Sequence, residues 1–410
     1  MKKQSLLLFL VGLFANLYSG TVVGVDQRSV DSLNTVLETA VQDTTRVNAM
    51  IALCDHYYLQ DPDTTIALCL KAQELSELHQ FDYGLSESYG WLGYLYMQKG
   101  LTPLALEYFI KSWKVREKIG DKEGVANALN NIGYIYDSQK DYEQALEHYR
   151  SALEIRRGLG NKLGIASILN NIGYIYDIQG NLEKGLEAYT LSLKIRREIN
   201  DVRGEIESLH NIGTIHRLNN EHDKALEYYE QCLLLNEQVN DLSARANSFT
   251  AMASVFRATG KSQLAVQYTL KAMEIANKLG YPELIGSCAD LLFYLYKDAE
   301  KFEEALRYYE LYITMNDSIN NEKNQKATIR QQTQYEFEKA QLIKEQKEKE
   351  ESRIRAEVLD RRDNLQYSVI LIALLILFGG VLFLGFINVS QRMAEGIIFF
   401  SFLIFFEFLL

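Results

Sequence analysis

The chain has 410 residues, of which 47% are hydrophobic, and its 43 Lys and Arg against 54 Asp and Glu leave a formal net charge of −11. Affinity for nucleic acid depends on clustered basic side chains that neutralise phosphates, so this acidic balance argues against DNA and RNA as partners. Only 3 Pro occur in the whole chain, which is typical of a nearly all-helical protein because Pro interrupts helical hydrogen bonding.

The N-terminus has the three regions of a secretory signal. Lys2 and Lys3 precede an apolar run over residues 6–17, and the small residue Gly20 follows it. This order is typical of a signal peptide, and the run is short for a membrane span. We therefore expect residues 1–20 to be a signal peptide that directs export, with a retained N-terminal anchor as the alternative.

Residues 44–316 repeat with a period of 40 residues, in seven copies without an insertion. The segment Leu-Asn-Asn-Ile-Gly-Tyr-Ile-Tyr at residues 129–136 recurs unchanged at 169–176, and as Leu-His-Asn-Ile-Gly-Thr-Ile-His at 209–216. A fixed period in this range indicates a solenoid, in which each unit buries its apolar face against its neighbours. We predict that each copy is a hairpin of two helices.

Small residues recur where the two helices of each hairpin would touch, because large side chains there would hold the helices apart. In the first helices they are Gly93, Gly133, Gly173, Gly213 and Ala253. Aromatic residues of the second helices are expected to fill the space beside them. They are Phe109, Tyr149, Tyr189, Tyr229 and Tyr309. Leu53 and Phe293 replace the glycine near the two ends of the array, as is usual for terminal repeats, which cap the stack.

Four dipeptides between repeats combine a helix-ending residue with a helix-starting residue. They are Gly120-Asp121, Gly160-Asn161, Asn200-Asp201 and Asn240-Asp241. Gly and Asn adopt the left-handed conformation that ends a helix, and Asp and Asn cap the N-terminus of the helix that follows. We predict a turn between two helices at each of them.

These positions match the signature W-x2-L-G-x2-Y followed by A-x3-F-x2-A at most places in five or six copies, so residues 44–316 resemble the tetratricopeptide-repeat (TPR) family. The period exceeds the family's usual ~34 residues, and the Leu-Asn-Asn segment is similar to the extended repeats of kinesin light chains. The resemblance implies an all-α fold, a TPR solenoid that forms a right-handed superhelix of about seven helical hairpins. It also implies a protein-binding module that is not an enzyme.

In TPR folds the first helices line the concave face, and the resemblance therefore implies which residues line a peptide-binding groove. They are Asn130, Asn131, Tyr134, Asp137, Asn170, Asn171, Tyr174, Asp177, His210, Asn211, Arg217, Arg257 and Lys297. Asn side chains suit the backbone of an extended peptide because each amide offers donors and an acceptor. One row of these residues, at equivalent positions of successive repeats, changes from negative to positive charge: Asp137 and Asp177 are followed by Arg217, Arg257 and Lys297. It would complement a ligand with basic residues at one end and acidic residues at the other. The alternative is that the Asn side chains bridge neighbouring helices and that the charges are only solvated.

Two motifs resemble a nucleotide-binding site and a metal site but do not meet the requirements of either. Gly260-Lys261-Ser262 ends like a phosphate-binding loop, but Val255 stands where that motif requires a glycine. His210 and His216 would face different sides of a helix, unlike the His pair of a zinc enzyme. We expect no catalytic residues, no metal and no cofactor.

The four cysteines lack the CxxC spacing of zinc sites. They are Cys54, Cys69, Cys232 and Cys288. Only Cys54 and Cys69 share a predicted hairpin, and they could form a disulfide in an oxidising compartment. Buried free thiols are common core residues, and this is the role that we expect for them.

Residues 317–366 are rich in Glu, Lys, Gln and Arg, have few apolar residues and contain neither Gly nor Pro. This composition predicts a long charged helix. Its residues 321–364 could form a parallel coiled coil and hence a homodimer, although few heptads are apolar at both seam positions. A single solvated helix is the alternative.

Residues 369–387 are uncharged and mostly apolar, and are long enough for a transmembrane helix. A second apolar segment, residues 396–410, resembles a truncated span. Together with the signal peptide, this anchor implies an inner-membrane protein with the TPR array in the periplasm. Arg361 and Arg362 directly before the span favour the opposite orientation, because basic residues are enriched on the cytoplasmic side.

The order of signal peptide, repeats, charged helix and span resembles membrane-anchored TPR sensor proteins of the Bacteroidetes type. Two functions remain open. The first is the periplasmic sensory part of a signal-transduction system, which binds a peptide or protein in its groove. The second is a structural assembly scaffold at the membrane without a signalling role, on the periplasmic or the cytoplasmic side.

Overall fold

The computed structural model describes residues 27–386 and, beyond them, residues 392–393, 395–396, 398–400 and 403. Within 322–345 and 377–386 it describes only some of the side chains. The expected signal peptide, residues 1–20, lies outside the described residues. Most of the second apolar segment also lies outside them.

The described residues form helices joined by short turns and contain no strand. The helices are α1 (Gln27–Thr39), α2 (Asp43–Tyr57), α3 (Pro62–Leu78), α4 (Asp82–Gln98), α5 (Thr102–Ile119), α6 (Lys122–Ser138), α7 (Tyr142–Leu159), α8 (Lys162–Ile178), α9 (Leu182–Glu198), α10 (Val202–Leu218), α11 (His222–Val239), α12 (Leu242–Ala258), α13 (Ser262–Leu279), α14 (Pro282–Asp298) and α15 (Phe302–Phe386). The chain divides into two compact units at residues 331 and 332, within α15. The first unit is a solenoid of tandem helical hairpins, from α2 with α3 to α14 with the beginning of α15.

Within a hairpin, a glycine of the first helix faces an aromatic ring of the second. A Cβ placed on Gly173 would lie 2.8 Å from Cδ1 of Tyr189, and one on Gly133 would lie 2.8 Å from Cδ1 of Tyr149. Real Cβ atoms do not approach so closely. The two rings are fully buried. The expected pairing of small and aromatic residues is therefore confirmed.

The turns between hairpins follow the prediction. Gly120 ends α5 with φ 73°, in the left-handed region that glycine adopts without strain. Asp121 then accepts a hydrogen bond of 2.9 Å from the backbone N–H of Gly124 and so caps α6. Asn161, Asp201 and Asp241 cap α8, α10 and α12 in the same way.

Three arginines connect the second helices α5, α7 and α9 to adjacent first helices or to their caps, and of these Arg156 and Arg196 are buried while Arg116 is partly buried. Arg116 on α5 donates from Nη1 to Oδ2 of Asp121 at 2.6 Å, and from Nη2 to Oε1 of Glu87 on α4 at 2.5 Å. Arg156 pairs with Glu123 and Arg196 with Asp201. These are contacts between successive first and second helices that the turns alone do not provide.

Each of these guanidinium groups occupies the space above a glycine of the next first helix. The glycines are Gly124, Gly164 and Gly204. Sequence analysis missed this arrangement, although Arg recurs every 40 residues with a Gly eight residues after it. That joint recurrence is the signal that would have found it.

Helix α1 is an addition to the predicted array, which began at residue 44. It packs on α2, with Val30 buried and Leu37 against the apolar cluster of the first hairpin. Val30, Leu33 and Leu37 have the spacing of three and four residues that an amphipathic helix requires. The helix covers apolar residues of α2 at this end of the described solenoid.

Residues 332–386 belong to the second unit and continue α15. From residue 346 to 376 nearly every side chain is exposed, including the apolar Leu371, Leu375 and Ile376. Among the residues that the structure describes, no helix combines the length and the apolar character needed to cross a membrane. The predicted span over residues 369–387 lies in part outside the described side chains and stays a prediction.

Gly173→Leu should destabilise the protein, because the added side chain would overlap the Tyr189 ring and force α8 and α9 apart. Overpacking of this kind costs about 1–3 kcal/mol of unfolding free energy. We would measure urea unfolding of the purified protein by circular dichroism. Gly158→Leu is the matched control, since Gly158 lies in α7 with open space around it and gains helix propensity. Equal unfolding curves for Gly173→Leu and wild type would contradict the packing role.

Candidate functional site

All thirteen residues predicted to line the groove lie on first helices, namely α6, α8, α10, α12 and α14. Helix α10 contacts α8 and α12, and α12 contacts α14, although a second helix intervenes between them in sequence. Among the described helices, successive second helices make no contact of this extent with one another. A stack whose first helices approach more closely than its second helices curves toward the first helices, so α8, α10, α12 and α14 lie on its inner side. The surface formed by the thirteen predicted residues is called the inner face below.

The asparagines connect successive first helices. Asn171 on α8 donates from Nδ2 to Oδ1 of Asn130 on α6 at 3.3 Å, and Asn211 on α10 donates to Asn170 on α8 at 3.0 Å. Asn170 in turn donates to Oε1 of Glu207 on α10 at 2.9 Å. This is the bridging role that the sequence analysis held as the alternative to peptide binding. An amide has two N–H groups and two acceptor lone pairs, so the single bridges of Asn171 and Asn211 leave capacity for a ligand. Asn170, which was predicted to line the groove, is buried and makes two bridges.

The acidic part of the inner face combines carboxylates with exposed aromatic rings. Tyr134 and Tyr174 are 50% and 48% exposed. Partial burial raises the pKa of Asp137 above its ordinary value. Burial also raises the pKa of Asp177, an effect that the positive charge of Arg217 partly opposes. Asp137 and Asp177 each lose hydration that neighbouring groups do not fully replace. A cationic group placed beside them would therefore stabilise their charged forms.

Core tyrosines lie beneath this row of the inner face. The hydroxyl of Tyr229 is 3.2 Å from Oγ1 of Thr214, which occupies the position of Tyr134 and Tyr174 in its own repeat. The buried hydroxyl of Tyr149 has no hydrogen-bond partner among the described residues. Sequence analysis assigned these tyrosines to packing alone. Their hydroxyls add polar groups directly under the groove.

The basic part of the inner face begins at α10. The pKa of His210 is lowered to about 4 by burial and by the nearby charge of Arg217, so His210 is neutral at pH 7 and can donate or accept a hydrogen bond. Arg257 lies 4.8 Å from the centre of the Tyr294 ring and 3.9 Å from Oδ2 of Asp298. Lys297 lies 5.6 Å from the centre of the Phe293 ring.

A pocket opens beside Arg257, between α12 and α14. Its volume is about 290 Å³, and it is lined by Ser254, Arg257, Ala258 and Leu291. The pocket combines a guanidinium and a hydroxyl with an apolar wall. It can therefore take an acidic or amide side chain whose stem is apolar.

Residues 84–158 and 164–238 match the family model of the tetratricopeptide repeat. The match confirms the repeats that the sequence analysis expected. No curated protein matches the chain in sequence.

Solved structures share the fold at low sequence identity. A signal transduction ATPase with numerous domains and a tetratricopeptide repeat sensor, from Pyrococcus horikoshii, aligns with a TM-score of 0.61 and 19% identity over 78% of this chain, which spans 49% of that protein. The apo form of the quorum sensor NprR from B. thuringiensis aligns with a TM-score of 0.59 and 16% identity, over 70% of this chain and 81% of that one. A Rap protein complexed with competence and sporulation factor aligns with a TM-score of 0.51 and 16% identity, over 71% and 80%. These likenesses show an all-helical solenoid of tandem hairpins.

Asp137→Asn should raise the free energy of unfolding at neutral pH. Because the folded pKa of Asp137 is raised, the folded state binds its proton more tightly than the unfolded state. The stability cost of the charged carboxylate is therefore present above the folded pKa and disappears as the pH falls below about 4.

Urea unfolding at pH 7 and at acidic pH measures this difference. Asp177→Asn is the matched control, where Arg217 already offsets part of the cost, so a smaller gain is expected. An Asp137→Asn protein that is less stable than wild type at pH 7 would be inconsistent with an uncompensated carboxylate.

Proposed function

We propose that the inner face of the solenoid binds an extended segment of a partner protein or a peptide. The observation that carries the proposal is the reversal of charge along one row of the inner face, from Asp137 and Asp177 to Arg217, Arg257 and Lys297. The row lies beside exposed tyrosines, whose rigid rings supply contact area at low entropic cost. The Rap protein in complex with competence and sporulation factor supports the proposal, because it joins a similar fold to a bound factor.

The charge reversal sets the register of the ligand. Basic side chains would lie over α6 and α8, where they restore favourable electrostatics to Asp137 and Asp177 and stack on Tyr134 and Tyr174. Acidic side chains would lie over α10 to α14, near Arg217 and the pocket beside Arg257. Backbone groups of the ligand would take the amide capacity that the asparagine bridges leave free.

The triple change Asn131→Ala, Asn171→Ala and Asn211→Ala should weaken partner binding. Each lost hydrogen bond costs about 0.5–1.5 kcal/mol, so the affinity should fall about 10-fold to 100-fold or more. Partners would be captured from a membrane extract of the native host and quantified by mass spectrometry. Circular dichroism and urea unfolding would be measured on the same protein.

The matched control is Glu147→Ala, Glu187→Ala and Glu227→Ala, three exposed residues on second helices with the same 40-residue spacing. Partners that bind the asparagine variant and wild type equally would overturn the proposed groove. Loss of helical structure in the asparagine variant, with binding reduced only in proportion, would assign the asparagines to bridging alone.

We further propose that the chain is the periplasmic sensory part of a signal-transduction system, held at the inner membrane by its C-terminal helix. The signal-like residues 1–20 and the apolar residues 369–387 support export followed by anchoring. The second candidate is an assembly scaffold at the cytoplasmic face of the membrane. Arg361 and Arg362 favour that candidate, because they directly precede the apolar segment.

A single cysteine at Gln346 distinguishes the two orientations. Gln346 is exposed on α15, and the four native cysteines would be replaced by Ser in the same protein. If the array is periplasmic, a membrane-impermeant thiol reagent should label this cysteine once the outer membrane is permeabilised. Labelling that requires opening of the inner membrane would overturn the periplasmic assignment and support the cytoplasmic scaffold.

A further inference from the structure

The first hairpin lacks the contact between glycine and aromatic ring that holds the central hairpins together. Leu53 occupies the position of Gly133 and Gly173, and Cys69 occupies the position of Tyr149 and Tyr189. Cys54 follows Leu53 on α2, and its Sγ atom lies 3.2 Å from Sγ of Cys69 on α3. Both cysteines are fully buried. A pair of thiols thus stands where three central hairpins place a tyrosine against a glycine.

We propose that Cys54 and Cys69 form a disulfide that ties α2 to α3. An S–S bond is about 2.0 Å long, so the sulfur atoms need to approach by only about 1 Å. In the reaction each thiol loses its hydrogen and the two sulfurs become bonded. The two electrons and two protons pass to a low-molecular-weight or protein disulfide, which is reduced to two thiols. This inference does not rest on the proposed function.

The position of the pair in the chain explains why a covalent link matters there. Hairpins at the end of a solenoid contact a neighbour on one side only and open more readily than central ones. Among the described residues, helix α1 covers the first hairpin on its N-terminal side. A disulfide between two residues close in sequence restricts the open state and so favours the packed hairpin.

The packed hairpin protects both thiols from exchange. Their mutual hydrogen bond and their burial raise the pKa of the Cys54 thiol far above its ordinary value, and the thiol is a poor nucleophile compared with the thiolate. Oxidation therefore requires the hairpin to be open, either during folding or in a transient opening of this end of the solenoid. Once formed, the buried disulfide is equally inaccessible to reducing thiols.

The other two cysteines serve as internal controls. Cys232 donates to the backbone oxygen of Ile206 at 3.4 Å, and Cys288 lies 3.8 Å from Oγ1 of Thr250. Both are buried and free, and they lie in hairpins remote in sequence from the first. They should remain thiols under conditions that oxidise Cys54 and Cys69.

The experiment is a thiol analysis of the full chain, refolded from denaturant in a glutathione redox buffer with detergent present. After an acid quench, the protein is denatured, alkylated with N-ethylmaleimide and digested with trypsin. Both cysteines of the pair fall in one peptide, residues 47–71, which follows Arg46 and ends at Lys71. We expect this peptide to be unalkylated and lighter by two hydrogen atoms, and the peptides with Cys232 and Cys288 to be alkylated.

A second sample tests the proposal without requiring the protein to refold. Native reduced protein is held in the same buffer with a low concentration of urea that opens the end hairpins without unfolding the solenoid, and the same oxidised peptide should accumulate. Without urea it should accumulate more slowly. Alkylation of both Cys54 and Cys69 in the refolded and the urea-treated samples would overturn the proposal, as would disulfides that join either of them to Cys232 or Cys288.

Discussion

The close approach of a glycine to a buried tyrosine ring is the contact on which the central hairpins of this solenoid depend. Gly133 and Gly173 leave room for the rings of Tyr149 and Tyr189, which fill the space that a Cβ would need. Because the ring enters from the second helix, the glycine side of the first helix is buried against that helix. Residues on other sides of the first helix, such as Tyr134 and Tyr174, remain exposed.

A different interaction adds contacts among the central helices: arginines on α5, α7 and α9 bind acidic side chains of adjacent first helices or of their caps. A buried ion pair adds little net stability, because desolvation offsets most of the Coulomb attraction. Its value here is geometric: the guanidinium of Arg116 joins α4, α5 and the cap of α6 through Glu87 and Asp121, and a glycine in the following helix accommodates it. Removing one partner would leave a buried charge uncompensated, which is the more costly state.

The proposed function gives the same residues of the inner face a structural role and a recognition role. Asn171 and Asn211 connect neighbouring first helices, and the proposed function assigns their remaining amide groups to a ligand. Asp137 is partly buried and its pKa is raised. Its charged carboxylate therefore lowers the stability of the folded protein at neutral pH. A residue that destabilises the free protein and would gain from a bound cation is typical of a binding surface. The first hairpin departs from this pattern, since a thiol pair replaces the packing of glycine against tyrosine.

The sequence by itself determined the repeat, the positions of the turns and the pairing of small with aromatic residues. These features depend on backbone conformation and on contacts repeated every 40 residues, so each copy confirms the others. It also indicated the residues of the inner face, because their place on the first helix follows from the helical period and from the resemblance to TPR repeats. The tertiary structure alone decided which side chains meet across repeats, such as Asn171 with Asn130 and Arg116 with Glu87, and it alone brought Cys54 and Cys69 to 3.2 Å. Such contacts depend on side-chain rotamers and on the relative placement of three or more helices, which no local pattern in the sequence records.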